Sequence, residues 1–196
     1  MTRLIKGVFD SRPTLPRYNS IWNVSTILDF IKTLGPNEEL SLKNVTLKCV
    51  TLVALLSGQR CHTIHALRIS GMKETNRQIR FDISTLLKTS KPEKHQEPLT
   101  FKPYTYDSQL CVVKCFQQYV KQTSELWNGA DQLWLSYQKP HNSASKDTVS
   151  RWIKEFLKKS GIDISSYGAH STRAASSSAA SSLPTISLQT IMNAAV

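Results

Sequence analysis

Apolar residues three and four apart mark most of this chain as helical, and one central stretch of period two interrupts the pattern. Ile21, Val24, Ile27, Leu28, Ile31 and Leu34 predict a first helix over residues 20–33, ended by Gly35-Pro36. Ser41 can cap a second helix over 41–56, with Leu42, Val45, Leu52, Val53 and Leu56 on a wide apolar face, stopped by Ser57-Gly58. A single helical turn is expected at 63–67. The middle then reads as strands over 68–72, 79–87 and 98–101, with the Arg80-Phe81-Asp82-Ile83 alternation as the clearest period of two.

Helical spacing resumes afterwards. Leu110, Cys111, Val113, Phe116 and Val120 predict a helix from Asp107 or Ser108 to residue 122. Residues 132–137 form a short apolar run, strand-like or a helix start, with Trp134 and Leu135 in the core. Val149, Trp152, Ile153, Phe156 and Leu157 give a helix over 147–160, after the polar linker 142–146. An Ala- and Ser-rich helix covers 169–182, Leu183-Pro184 breaks it, and a last helix begins near Ser187 and runs on to Val196. Residues 1–20, punctuated by Arg12, Pro13, Pro16 and Arg17, keep no helical period and read as an extended arm or linker. The expectation is one mainly α-helical α+β domain over 21–196 with a small three-stranded antiparallel sheet. The run at 50–56 falls far short of the ~18 apolar residues of a membrane span and reads as buried helix.

The chemistry gathers in Gly168-Ala169-His170-Ser171-Thr172-Arg173. A His and an Arg three apart share one side of a helix, about one turn from each other. Earlier in the chain, Leu55-Leu56-Ser57-Gly58-Gln59-Arg60 places an Arg on the turn after an apolar helix, where a guanidinium can be held rigidly toward a cleft. Taken singly, each feature also describes a surface residue. Between the last two predicted strands lies a basic hairpin with Lys88, Lys91 and Lys94. Arg binds phosphate oxygens with a planar, two-pronged fork, and two of them could clamp a phosphodiester. A hairpin Lys could protonate a leaving 5′ oxygen, and a His could take a proton from an attacking hydroxyl. No acidic pair with metal-binding spacing accompanies the set, so the pattern suits metal-free phosphoryl transfer through a covalent intermediate.

Composition sharpens this reading. The 196 residues are 40% hydrophobic and 20% charged, as a globular chain is, but carry a net charge of +11. That excess favours a polyanionic partner, of which nucleic acid is the commonest. Arg151 and Lys154 lie on the basic helix after the polar loop and are expected to touch phosphates. The start of the chain lacks the apolar run of a signal peptide, so an intracellular site is expected. Cys49, Cys61, Cys111 and Cys115 fit no disulfide framework, and they are expected as small buried hydrophobes. Cys61-His62-x-x-His65 lacks a second ligand pair for zinc, and no metal site is expected.

Together these motifs resemble the catalytic domain of the tyrosine recombinase (phage integrase) family, most closely the recombinases of DIRS/Ngaro-type retrotransposons and cryptons. The residues carrying the resemblance are Ala54 to Arg60, Leu87-Lys88-Thr89-Ser90-Lys91, Val149-Ser150-Arg151-Trp152-Ile153 and Gly168 to Ala175. The resemblance implies that Arg60 and Arg173 are the two phosphate-binding arginines and that His170 handles the nucleophile's proton. It implies that Lys88 is the general acid, with Lys91 and Lys94 as alternatives because hairpin register is not fixed by sequence. It further implies DNA strand exchange through a 3′-phosphotyrosine, assembly as a homo-oligomer on DNA, and a nuclear site of action. The family's nucleophilic Tyr follows the second Arg by some two dozen residues and a further turn or two, whereas no Tyr follows Tyr167 here. Tyr167 precedes His170 and is expected to pack or to touch DNA. The expectation is therefore a recombinase catalytic domain incomplete at its C-terminus. The alternatives are a domesticated DNA-binding remnant of a mobile element and, more distantly, topoisomerase IB chemistry.

Overall fold

The computed structural model describes residues 20–75, 77–87, 90 and 97–182. Its centre is the helix that the sequence marked as most apolar. Following α1 (Val24–Thr33), α2 (Leu42–Ser57) is capped by Ser41 Oγ, which accepts from Asn44 N–H, and ends on Gly58 in the left-handed conformation at φ 58°. Every residue from Val45 to Leu55 is buried, so the middle of the helix is buried on all sides, while Lys43 is exposed near its start and Leu56, expected on the apolar face, is exposed near its end. The short α3 (Cys61–His65) follows at once. Three later helices, α4 (Val112–Thr123), α5 (Lys146–Lys159) and α6 (Ser171–Ser181), pack around α2.

The sheet flanks this bundle. Its strands β1 (Met72–Thr75), β2 (Gln78–Phe81) and β3 (Leu99–Phe101) are antiparallel in the order β1-β2-β3. Met72 pairs with Phe81, and Phe81 with Leu99. Along β2, Ile79 and Phe81 are buried and Arg80 is exposed, the alternation of a sheet with one wet face. Phe81, Phe101 and Phe116 meet with ring centroids 5.2–6.3 Å apart, joining the sheet to α4. Trp134 lies 6.0 Å from Phe116 and closes the same cluster. The mainly helical architecture with one three-stranded antiparallel sheet is thus as expected.

Several boundaries move, each for a local reason. The first helix begins at Val24 because Asn23 Oδ1 captures Ser25 N–H, leaving Ile21 half exposed and turning Trp22 into the core. The first strand begins at Met72 and not at residue 68. Ile69 N–H donates to Asp131 O and Ser70 is held by the Asp131 carboxylate, which ties this stretch to the 131–132 loop instead. Gly71 then lies so close to β2 that a Cβ there would stand 2.4 Å from the Asp82 carbonyl oxygen. The second strand ends at Phe81 and not at residue 87; Asp82 N–H still donates to Gly71 O, and the Asp82 carboxylate binds Lys73 and Arg80. Residues 132–137 make only isolated bridges, from Gln132 to Arg68 and from Leu135 to Ser143, although Trp134 and Leu135 are buried as expected. The single turn expected at 63–67 starts two residues earlier, at Cys61. The helix expected from 107 or 108 starts at Val112, because Asp107 caps a separate turn at Gln109. All four cysteines are free thiols and buried. Among the described residues no helix is long and apolar enough to cross a membrane. The arm over 1–19, the lysine hairpin and the last expected helix lie outside the described residues.

Candidate functional site

Arg60 is placed by the end of α2. Gly58 reverses the chain, and Arg60, extended at φ −73° and ψ 151°, becomes the N-cap residue of α3, its carbonyl accepting from Ile64 N–H. Cys61, Thr63 and Ile64 are buried behind it, and α3 packs on α5, so the backbone of Arg60 is fixed while its side chain remains exposed.

His170 and Arg173 come from the far end of the domain. The segment before them is wound tightly: Asp163 accepts from Ser165 and Ser166, which holds its carboxyl down at about 2, and Tyr167 N–H donates to Asp163 O. Gly168 O then accepts both Ser171 N–H, at 2.9 Å, and Ser171 Oγ, at 2.7 Å. His170 is the exposed residue at the head of α6, and Arg173 stands half-buried in its first turn. Small side chains let α6 lie close to α2: Ala175 is buried, and Ser176 Oγ donates to Leu55 O. This contact brings the first turn of α6 beside the end of α2 that leads to Arg60.

Arg173 feels both its burial and the charge of Arg60. Partial burial pushes the Arg173 guanidinium below its ordinary value, and the neighbouring Arg60 charge pushes it further. Among the described residues neither arginine forms a salt bridge. A pair of guanidinia held close without a carboxylate is an arrangement that an anion with several oxygens would relieve. His170, one helical turn from Arg173, stands at the same site.

Arg151 and Lys154 are both exposed on α5, outside this pair, and Arg151 Nη2 donates to Thr148 Oγ1 at 3.1 Å. Their helix adjoins α3, where the Cys61 thiol, raised by burial, meets Ser150. Lys88, Lys91 and Lys94, on the connection from β2 to β3, lie outside the described residues.

Sequence reasoning missed a basic zone beside the arginines. His65 Nε2 lies 3.1 Å from Ala144 O. Burial lowers the imidazole's affinity for a proton, and the charges of Arg68, His62 and Lys146 lower it further. Lys146, at the start of α5, thus shares this surface with α3. The one sequence signal was His62-x-x-His65, whose spacing suggested only zinc. Among the described residues no three His, Cys, Asp or Glu side chains gather into a metal-holding group.

Comparison with known proteins follows the same outline. The model of the phage integrase family matches residues 22–193. No curated protein matches the sequence significantly. Among solved structures, XerA recombinase superposes with a TM-score of 0.63 at 14% identity, covering 98% of this chain and 62% of that one. XerH site-specific recombinase bound to difH substrate, in its pre-cleavage complex, gives 0.59 at 12% identity, covering 85% and 44%. A lambda integrase dimer bound to a COC′ core site gives 0.53 at 15% identity, covering 98% and 65%. The chain therefore spans less than two thirds of the length of these structures, and at such identities the likeness is one of fold.

Proposed function

The chain belongs to the phage integrase family, and on that premise we propose that it is the catalytic domain of a site-specific DNA recombinase. The observation that carries this reading is that α6, which bears Arg173, packs on the end of α2 that leads to Arg60, with no salt bridge to either arginine among the described residues. The two forks clamp one phosphodiester and stabilise the extra charge of its five-coordinate transition state. His170 accepts the proton of the attacking hydroxyl. The general acid is a lysine of the β2–β3 connection, Lys88 first and Lys91 or Lys94 next. Arg151 and Lys154 hold flanking phosphates of the duplex. Among the similar structures, XerH is bound to a difH substrate and lambda integrase is a dimer bound to a COC′ core site. They support duplex DNA as this chain's partner and a homo-oligomer formed on it.

In the family chemistry a tyrosine attacks the phosphate, leaving a 3′-phosphotyrosine and a free 5′ hydroxyl. Tyr167 is not that nucleophile in this reading: it precedes His170, and its Oη lies 2.6 Å from Ser20 Oγ. The sequence motifs further favour a mobile element of the DIRS, Ngaro or crypton kind, acting in the nucleus.

The test is a titration of the 196-residue chain with duplex DNA at rising salt. Four contacts, from Arg60, Arg173, Arg151 and Lys154, give a slope of log K against log salt of about −3 to −4. EDTA is expected to leave that binding intact. Salt-independent binding, or its loss in EDTA, would overturn the reading. A covalent adduct formed by this polypeptide on a nicked substrate would overturn the assignment of Tyr167.

A further inference from the structure

The beginning of the domain is bonded to the turn that carries His170. Trp22 Nε1 donates to Ser171 Oγ at 2.9 Å, a link across almost the whole chain. Trp22 is 8% exposed and Ser171 2%, so the bond is sheltered from water, where it is stronger and where an orphaned partner costs more. The serine hydroxyl uses its own proton on Gly168 O, 2.7 Å away. The indole thus holds a hydroxyl that in turn holds a carbonyl, and Gly168 and Ser171 bracket Ala169 and His170. Arg173 follows two residues later on the same turn. A second bond, between Ser20 Oγ and Tyr167 Oη, runs alongside. Behind both, α1 packs on α6. Nothing local in the sequence marks Trp22, and Ser171 is marked only by its place between His170 and Arg173.

We propose that Trp22 is a positioning residue for the His170–Arg173 turn, so that the segment entering the domain at Ser20 sets the register of the anion site. The proposal rests on the reading that this turn holds a DNA phosphate. A pull or rotation on the chain before Ser20 reaches Arg173 through one indole and one hydroxyl, without passing through α2 or the sheet. A partner or a preceding segment bound to the same DNA would act on phosphate binding by this route.

The experiment uses the full chain and a short mixed-sequence duplex. Trp22→Phe keeps the ring in the core and removes only the N–H donor. It is expected to weaken duplex binding about threefold to tenfold, the worth of one net hydrogen bond. Arg173→Ala should absorb this effect, so that the double variant binds no more weakly than Arg173→Ala alone. Additive losses, or a folded Trp22→Phe protein with unchanged affinity, would overturn the proposal. Should Trp22→Phe fail to fold, Ser171→Ala removes the acceptor with the indole in place, and the same cycle is run with it. Should Arg173→Ala itself leave binding unchanged, the phosphate reading fails by that result alone. The latch is then judged by the NMR titration of the His170 ring: a midpoint moved by Trp22→Phe supports it, and an unmoved one sinks it.

Discussion

Truncating Arg60 should separate binding from stability in a way that a structural arginine would not. Its side chain is exposed and, among the described residues, has no salt bridge, while its charge acts on Arg173. Arg60→Ala removes that repulsion and little packing, so folding stability should stay within about 0.5 kcal/mol of the parent, leaning toward a gain. Duplex affinity should behave oppositely. Hydrogen bonds from a charged donor are worth about 1.5–3 kcal/mol each, a loss of roughly 10- to 150-fold for one such bond to the phosphate. The salt slope should shrink by about 0.9. Arg173 is half-buried, so Arg173→Met is the better partner variant, because it keeps an apolar stem against α2. Arg60→Lys keeps a point charge without the planar fork and should recover the slope better than the affinity. Fluorescence anisotropy over a salt series, beside urea unfolding of the same samples, reads both quantities. An Arg60→Ala protein that loses more than about 2 kcal/mol of stability yet binds DNA like the parent would refute the reasoning, and Arg60 would be a structural residue.

Other consequences concern the frame of the site. Gly71→Ala places a Cβ where the Asp82 carbonyl oxygen stands 2.4 Å away, so backbone must move; urea midpoints should show a loss of about 1–3 kcal/mol, and an unchanged midpoint would contradict the close approach. Lys48, fully buried on α2, donates to Asn37 Oδ1 at 2.7 Å, and burial lowers its pKa against the opposing pull of Cys115, Cys49, Asp107 and Glu38. A folded pKa below the unfolded one gives stability that is full above the ordinary lysine value of about 10.4 and is lost as pH falls through the lower folded value. The parent should therefore gain on Lys48→Met as pH rises through that window, and parallel stability curves would argue against a strained ammonium. The His65 imidazole is likewise lowered by burial. Its contribution is complete above about 6.5 and is lost as pH falls through its folded value. His65→Gln should thus be less acid-sensitive than the parent in that range, and equal sensitivity would remove His65 from the acid response.

Helical spacing was enough to locate α2 and α5, because a helix that buries one side must repeat apolar residues every three or four positions. Composition and the order Arg60, lysine hairpin, His170, Arg173 were enough to suggest a phosphate site and a family, since these residue types have few other reasons to recur in that order. The strand limits were not legible. Asp131 ties residues 69 and 70 to its own loop ahead of β1, through groups far along the chain that no local pattern announces. Nor did the pattern show that the middle of α2 is buried on every side, Lys48 included, because burial depends on how many neighbours arrive and not on the helix itself. The nearness of Arg60 to Arg173 and the bond from Trp22 to Ser171 belong to the same class. The sequence by itself determined which segments could bury a face and which charges were to spare. Only the tertiary structure decided which of those charges share a site, because like charges stay together only when the packing of their own helices holds them there.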